Sequence, residues 1–80
     1  MLNQLRQMAI FVRTIDHGSF RAAARALKLS PSVVSQQISH LEQSLGTALI
    51  YRSTRDLSLT RDGERLLASA RMMVEAAEAG

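Results

Sequence analysis

The sequence has no cysteine, only one proline, and no apolar segment approaching the ~20 residues that cross a bilayer. Without cysteine, disulfide bonds, thiolate catalysis and cysteine-ligated zinc are excluded. A single proline with 46% hydrophobic residues suits an ordered helical domain rather than a disordered chain. Arg6 and Arg13 interrupt the first fourteen residues, which therefore lack the apolar block of a signal peptide. We predict a soluble, cytoplasmic protein.

Acidic residues are scarce between positions 17 and 55, where Glu42 is the only one. The basic residues of this segment are Arg21, Arg25, Lys28, Arg52 and Arg55. The segment therefore carries a net charge of +4, whereas the rest of the chain carries −1. Such a concentration of positive charge favours a polyanionic partner, although a solvated helical surface would have the same composition.

Candidate catalytic groups are few. His17 and His40 are the only histidines, and neither accompanies a nucleophile motif or a glycine-rich phosphate loop. A chain of 80 residues also has little room for an enclosed cleft. We expect no catalytic residue, no metal site and no cofactor.

Apolar spacing predicts a first helix over residues 2–17, ended by Gly18. Its predicted buried stripe is Leu5, Met8, Ala9, Val12 and Ile15. Ile10 falls outside this stripe and is expected to touch a second element or a partner chain.

Two further helices follow at very short spacing. Ser19 is a predicted N-cap for a helix over residues 20–27, and Ser30 with Pro31 marks the start of another over residues 31–45. The predicted buried stripe of the later helix is Val34, Ile38, Leu41 and Leu45. The pair, joined by two residues, fits a helix-turn-helix unit.

After Gly46, two short runs, 49–52 and 57–59, predict a small β-hairpin around a polar tip. Thr60 is the predicted N-cap of a long last helix. The expected fold class is therefore all-α with a small β-hairpin wing.

One face of the helix at 31–45 carries hydroxyls and amides instead of long charged side chains. These residues are Ser32, Ser35, Gln36, Ser39 and Gln43. Small polar side chains fit the major groove and can read base edges there, whereas lysine would mostly reach phosphates. The alternative is an indifferent solvent-facing surface, but Arg21, Arg25 and Lys28 on one side and the hairpin arginines on the other favour double-stranded DNA.

The chain resembles the N-terminal DNA-binding region of a LysR-type transcriptional regulator. The stretches that carry the resemblance follow in order as FVRTIDHGSFRAAARAL, SPSVVSQQISHLEQSLG, ALIYRSTRDLSLT and TRDGERLL. The resemblance implies a winged helix-turn-helix domain over residues 1–59 and a linker helix over 60–80 through which two chains form a homodimer. It also implies an effector-binding domain for a small molecule, which these 80 residues do not include.

Position by position, the resemblance assigns bases and nearby phosphates to the third helix and minor-groove contacts to the wing. The resulting DNA-binding candidates, with Arg21 beside the groove, are Arg21, Ser30, Pro31, Ser32, Ser35, Gln36, Ser39, Arg52 and Arg55. Two positions depart from the family pattern: proline lies at 31 rather than 32, and position 36 is glutamine where arginine is common.

The last helix carries a seam at helical spacing that predicts dimerisation. The candidates are Leu66, Ala70, Met73, Val74 and Ala77. The same seam could instead pack on the first helix as core, but a helix of about 30 Å is longer than so small a core covers. Residues 72–79 are therefore expected to fray or to meet a second chain, joined by Ile10. An alternative function for the whole chain is a helical protein–protein interaction module with an incidental basic face.

Overall fold

A computed structural model describes residues 2–52 and 57–80, with side chains from residue 4 onward. The elements are α1 (Leu2–His17), α2 (Phe20–Leu27), α3 (Pro31–Leu45), β1 (Ile50–Tyr51), β2 (Ser58–Leu59) and α4 (Arg61–Ala79). This is the predicted arrangement, and the fold class is confirmed. The tip of the hairpin, with the predicted wing residue Arg55, lies outside the described residues.

Local capping explains why three helices begin where they do. The hydroxyls of Ser19, Ser30 and Thr60 each accept a hydrogen bond from the backbone amide three residues later, at 3.0, 3.2 and 2.9 Å. Each bond satisfies one amide that the first turn would otherwise leave without a partner. Short-range sequence signals therefore fix these boundaries.

The turn between α2 and α3 is closed by a left-handed residue. Lys28 has φ +59° and is the one non-glycine residue with positive φ among those described. The amide of Leu29 donates to the Ala24 carbonyl at 2.8 Å, and that of Lys28 donates to Arg25 at 3.3 Å. This hydrogen-bond pair is a Schellman motif, which ends α2 and allows α3 to start after two residues.

The main core lies between α1, α2, α3 and the hairpin. Its buried members are Ile10, Phe11, Ala24, Val34, Ile38, Leu41, Leu49 and Ile50. Ile10 packs in this core, which is the first of the two alternatives expected for it, and its 4% exposure leaves almost none of the side chain for a partner chain. Of the stripe predicted for α1, only Val12 is buried, and Leu5, Met8, Ala9 and Ile15 are half-buried. Ile10, Phe11 and Thr14 are buried as well, because α2, α3 and α4 all pack against α1.

The predicted burial of Leu45 is wrong, since this side chain is 39% exposed. It lies at the last position of α3, where the helix has passed the edge of the core. Periodicity continues to the end of a helix, but packing does not.

The hairpin is a two-stranded antiparallel ladder that pairs Ile50 with Leu59 and Tyr51 with Ser58. Thr60 secures its base, since its amide donates to the Leu49 carbonyl at 3.0 Å and its hydroxyl to the Ala48 carbonyl at 2.6 Å. A ladder this short is marginal alone. Its attachment to the helices therefore decides where it points.

A second, smaller cluster joins α4 to α1. Val12, Ala70 and Val74 are buried there, at 1%, 0% and 3% exposure. Asp16 accepts two hydrogen bonds from Arg71, at 2.8 and 3.0 Å, and Arg13 forms an ion pair with Glu78. No helix among the described residues is long and apolar enough to cross a membrane.

Candidate nucleic-acid interface

The outward face of α3 presents a row of exposed polar side chains. They are Ser32, Gln36, His40 and Gln43, spaced so that all four lie along one side of the helix. The row starts next to the N-terminal turn, where Ser30 and Pro31 are also exposed. An exposed helix end with small polar groups is suited to enter a groove. His40 also belongs to this row, but no reading role was predicted for it. Its spacing of four residues from Gln36 is the sequence signal that could have indicated such a role.

Ser35 and Ser39 differ from the rest of the predicted polar face, because they are half-buried and already hydrogen-bonded. Arg52 donates from Nη1 to the Ser35 hydroxyl and from Nη2 to the Ser39 hydroxyl, both at 3.2 Å. Its Nη2 also donates to Glu42 Oε1 at 3.0 Å. The guanidinium carbon lies 5.5 Å from the ring centroid of Phe20, within cation–π range. The side chain of this predicted wing residue thus lies back against the helices.

Glu42 connects α3 to the start of the hairpin, a role that sequence reasoning missed. Its Oε2 accepts from the amides of Leu49 and Ile50, at 2.7 and 3.3 Å, and its side chain is 14% exposed. Burial by itself would raise the pKa of this carboxyl, but the Leu49 amide and the Arg52 guanidinium outweigh it and hold the pKa below its usual value. The only sequence signal was that Glu42 is the single acid in a basic segment.

Exposed positive charge lies on α2 and in the turn that follows it. Arg21, Arg25 and Lys28 are exposed, and within the described part of the chain none of them takes part in an ion pair. Cations that are not neutralised internally remain available to phosphates. The described residues also include no cluster of three or more side chains suited to hold a metal ion.

Some residues of the predicted dimerisation seam are buried within the domain, and others are exposed on its surface. Ala70 and Val74 pack on α1, as the core alternative required, whereas Met73 is 43% exposed and Ala77 is exposed. Leu66 is half-buried. Met73 lines a shallow, mainly apolar depression together with Gln4, Leu5 and Met8 of α1. The expectation that residues 72–79 either fray or meet a second chain is therefore only partly met, because Val74 packs against α1 and Glu78 forms an ion pair with Arg13 of α1.

Comparisons with known proteins agree with this geometry. Residues 5–64 match the family described as bacterial regulatory helix-turn-helix protein, lysR family. The chain is 45% identical, over 95% of its length and 25% of the relative's, to the probable HTH-type transcriptional regulator LtrA of Klebsiella pneumoniae. It is 40% identical, over 91% of its length and 24% of the relative's, to the HTH-type transcriptional activator AaeR of Escherichia coli. The chain spans about a quarter of the length of these relatives.

Solved structures give the same result. The chain superimposes with a TM-score of 0.88 and 29% identity on a BenM_DBD/catB site 1 DNA complex, covering 94% of this chain and 83% of that one. With CbnR, a LysR family transcriptional regulator, the TM-score is 0.85 at 35% identity, covering 94% of this chain and 26% of that one. The chain belongs to the lysR family of bacterial regulatory helix-turn-helix proteins and forms that family's DNA-binding domain.

Proposed function

We propose that this domain recognises a specific duplex sequence by placing α3 in the major groove, with the hairpin beside the adjacent minor groove. The observation that carries the proposal is the exposed polar row of α3, which starts at an open helix N-terminus. Each base pair presents a distinct set of donors and acceptors in the major groove, and amide and hydroxyl side chains can pair with them. The DNA bound in the BenM_DBD complex supports duplex DNA as the ligand.

Affinity in this proposal comes from phosphates, and specificity comes from the row on α3. Arg21, Arg25 and Lys28 flank the helix and supply the sequence-independent attraction. Ser30 and Pro31 are exposed at the N-terminal end of α3 and would lie close to the phosphate backbone of the DNA. Gln36, near the middle of the row, has the amide that can bind N6 and N7 of adenine together.

For the longer protein, we propose a homodimeric, cytoplasmic transcription regulator without catalytic activity. The names of the relatives as regulators support this role, and their length leaves room for an effector-binding domain beyond these residues. Residues 1–59 would bind DNA and residues 60–80 would link and dimerise, with Met73 and Ala77 as the accessible part of the seam.

Selection from a random pool of duplexes tests the proposal. We expect rounds of binding and amplification with the 80-residue chain to enrich one motif, because a fixed row of side chains prefers particular base edges. A pool that remains random after repeated rounds would reject sequence-specific recognition.

A further inference from the structure

We propose that Arg52 is a positioning residue, which supports DNA binding by fastening the hairpin to α3 rather than by contacting a phosphate. This inference rests on the proposed DNA-binding function. This role differs from the direct contact between Arg52 and DNA that the sequence predicted. Any direct contact of the hairpin with DNA would then be made by other hairpin residues.

The geometry of the guanidinium carries the proposal. Arg52 directly follows β1, and its donors reach Ser35, Ser39 and Glu42, three acceptors on successive turns of α3. A guanidinium has five N–H donors in a rigid plane, which suits several fixed acceptors at once. Its packing against Phe20 adds α2 to the elements that it joins. The point at which the chain enters the hairpin tip is therefore fixed against the reading helix.

Glu42 makes the attachment two-sided. One carboxylate oxygen accepts from the amides of Leu49 and Ile50, and the other accepts from Arg52. The same side chain therefore holds the residues immediately before β1 and within it, as well as the residue after it. A phosphate approaching Arg52 would have to compete with this carboxylate, whose Oε1 already lies 3.0 Å from Nη2.

As a consequence, fewer side chains of α3 are accessible to contact bases than the sequence predicted. Ser35 and Ser39 are half-buried, and their oxygens accept hydrogen bonds from Arg52, whereas Ser32, Gln36 and His40 are exposed. Loss of Arg52 should therefore free two hydroxyls, loosen the hairpin and weaken binding without removing a phosphate contact.

The experiment measures thermal unfolding and the salt dependence of DNA binding for Arg52→Ala, Arg52→Lys and the comparator Arg21→Ala. For Arg52→Ala we expect a Tm lower by about 4 °C. We also expect about tenfold weaker binding to the selected duplex, with the slope of log K against log salt unchanged. Arg21→Ala should show the reverse: an unchanged Tm and a slope smaller by about 0.9. Arg52→Lys should resemble Arg52→Ala, because one ammonium cannot span the three acceptors.

Parent-like affinity and Tm in Arg52→Lys would overturn the proposal, since a lysine can replace a phosphate contact. So would a lowered slope with an unchanged Tm in Arg52→Ala. The Tm measurements need no DNA and test the contact between Arg52 and Glu42 directly. The decrease in Tm of the double variant Arg52→Ala/Glu42→Gln should be smaller than the sum of the decreases in the two single variants. Additive decreases in Tm would contradict the attachment of the hairpin through Arg52 and Glu42, even if the variants bind DNA normally. A parent chain that binds no duplex would instead reject the proposed function.

Discussion

Gly63 shows how a single missing side chain allows two elements to meet. It lies buried in the first turn of α4, and a Cβ built there would be 2.0 Å from the Leu49 carbonyl oxygen. Backbone cannot yield as a flexible side chain can, so α4 or the hairpin base would have to move. The close approach joins elements that are distant in sequence, which is why sequence reasoning placed Gly63 in a helix without finding its purpose.

We expect Gly63→Ala to lower the free energy of unfolding by about 1–3 kcal/mol, the usual cost of overpacking. Helix propensity alone would predict a gain of about 1 kcal/mol, so the sign separates the two effects. Denaturant unfolding measures it, with Ser69→Ala at an exposed position of α4 as the control. A more stable Gly63→Ala variant would refute the close approach.

Gln36 is the residue where the reading role is most testable. We expect Gln36→Ala to lose ~1–3 kcal/mol of discrimination at one base position and to keep the parent's Tm, because the side chain is exposed. Arg21→Ala is the control, since loss of a phosphate contact should weaken all duplexes alike. Binding profiles across single-base variants of the selected site decide the matter. Superimposable profiles for parent and Gln36→Ala would exclude base reading by this residue.

At the scale of elements, local signals predicted most of what the structure contains. Three helix starts are defined by hydrogen bonds that span only three residues, so they could be predicted from the sequence. The capping residues are Ser19, Ser30 and Thr60. The burial of Ile10 and the direction of Arg52 depend on contacts with elements far along the chain. Periodicity indicated that Ile10 would contact something beyond the predicted stripe, but it could not identify the contact, and it gave no direction for the side chain of Arg52. Of the candidate site, the exposed helix face was therefore predictable, but its internal attachment to the hairpin was not.

The attachment of the hairpin through Glu42 predicts acid sensitivity. The pKa of Glu42 lies below its ordinary 4.5: burial opposes this direction, but hydrogen bonds from the Leu49 amide and Arg52 prevail. Hydrogen bonding from Arg71 also lowers the pKa of Asp16 on the α1–α4 contact. A carboxyl whose pKa is lower in the folded state than in the unfolded state stabilises the fold fully when the pH is above the unfolded-state pKa. This contribution is lost as the pH falls through the folded-state pKa.

We therefore expect a Tm that is nearly constant above about pH 5 and decreases below pH 4.5. Glu42→Gln should have a lower Tm at neutral pH and a shallower acid decrease, because the titrating group is gone. Thermal unfolding between pH 3 and 7 provides the measurement, with Asp16→Asn reporting on the other contact. An acid decrease as steep in Glu42→Gln as in the parent would assign it to other carboxylates.

For the whole molecule, the proposed contact with a second chain depends on the apolar side chains that α4 leaves exposed. Met72 is 73% exposed and Met73 43%, and the latter borders the apolar depression on α1. The buried half of the seam is already used within the chain, so only a narrow apolar strip remains. We accordingly expect association of the 80-residue chain to be weak and dependent on concentration.

Sedimentation from micromolar to millimolar concentration should show self-association for the parent chain and none for Met73→Glu, which places a charge in the strip. Glu64→Gln, which changes the charge by one unit at an exposed position on the opposite side of α4 from Met73, is the control and should associate like the parent. A parent chain that is monomeric throughout would remove residues 60–80 as a sufficient dimerisation element.

In the proposed function, this domain reads a DNA sequence while drawing most of its affinity from phosphates. The direct measurement is the dissociation constant for the selected duplex and for a scrambled duplex of equal length, between 50 and 200 mM salt. We expect the selected duplex to bind more tightly by a factor on the order of 10³, with log affinity for both falling linearly with log salt. Equal affinity for the two duplexes, or affinity that does not change with salt, would contradict the account.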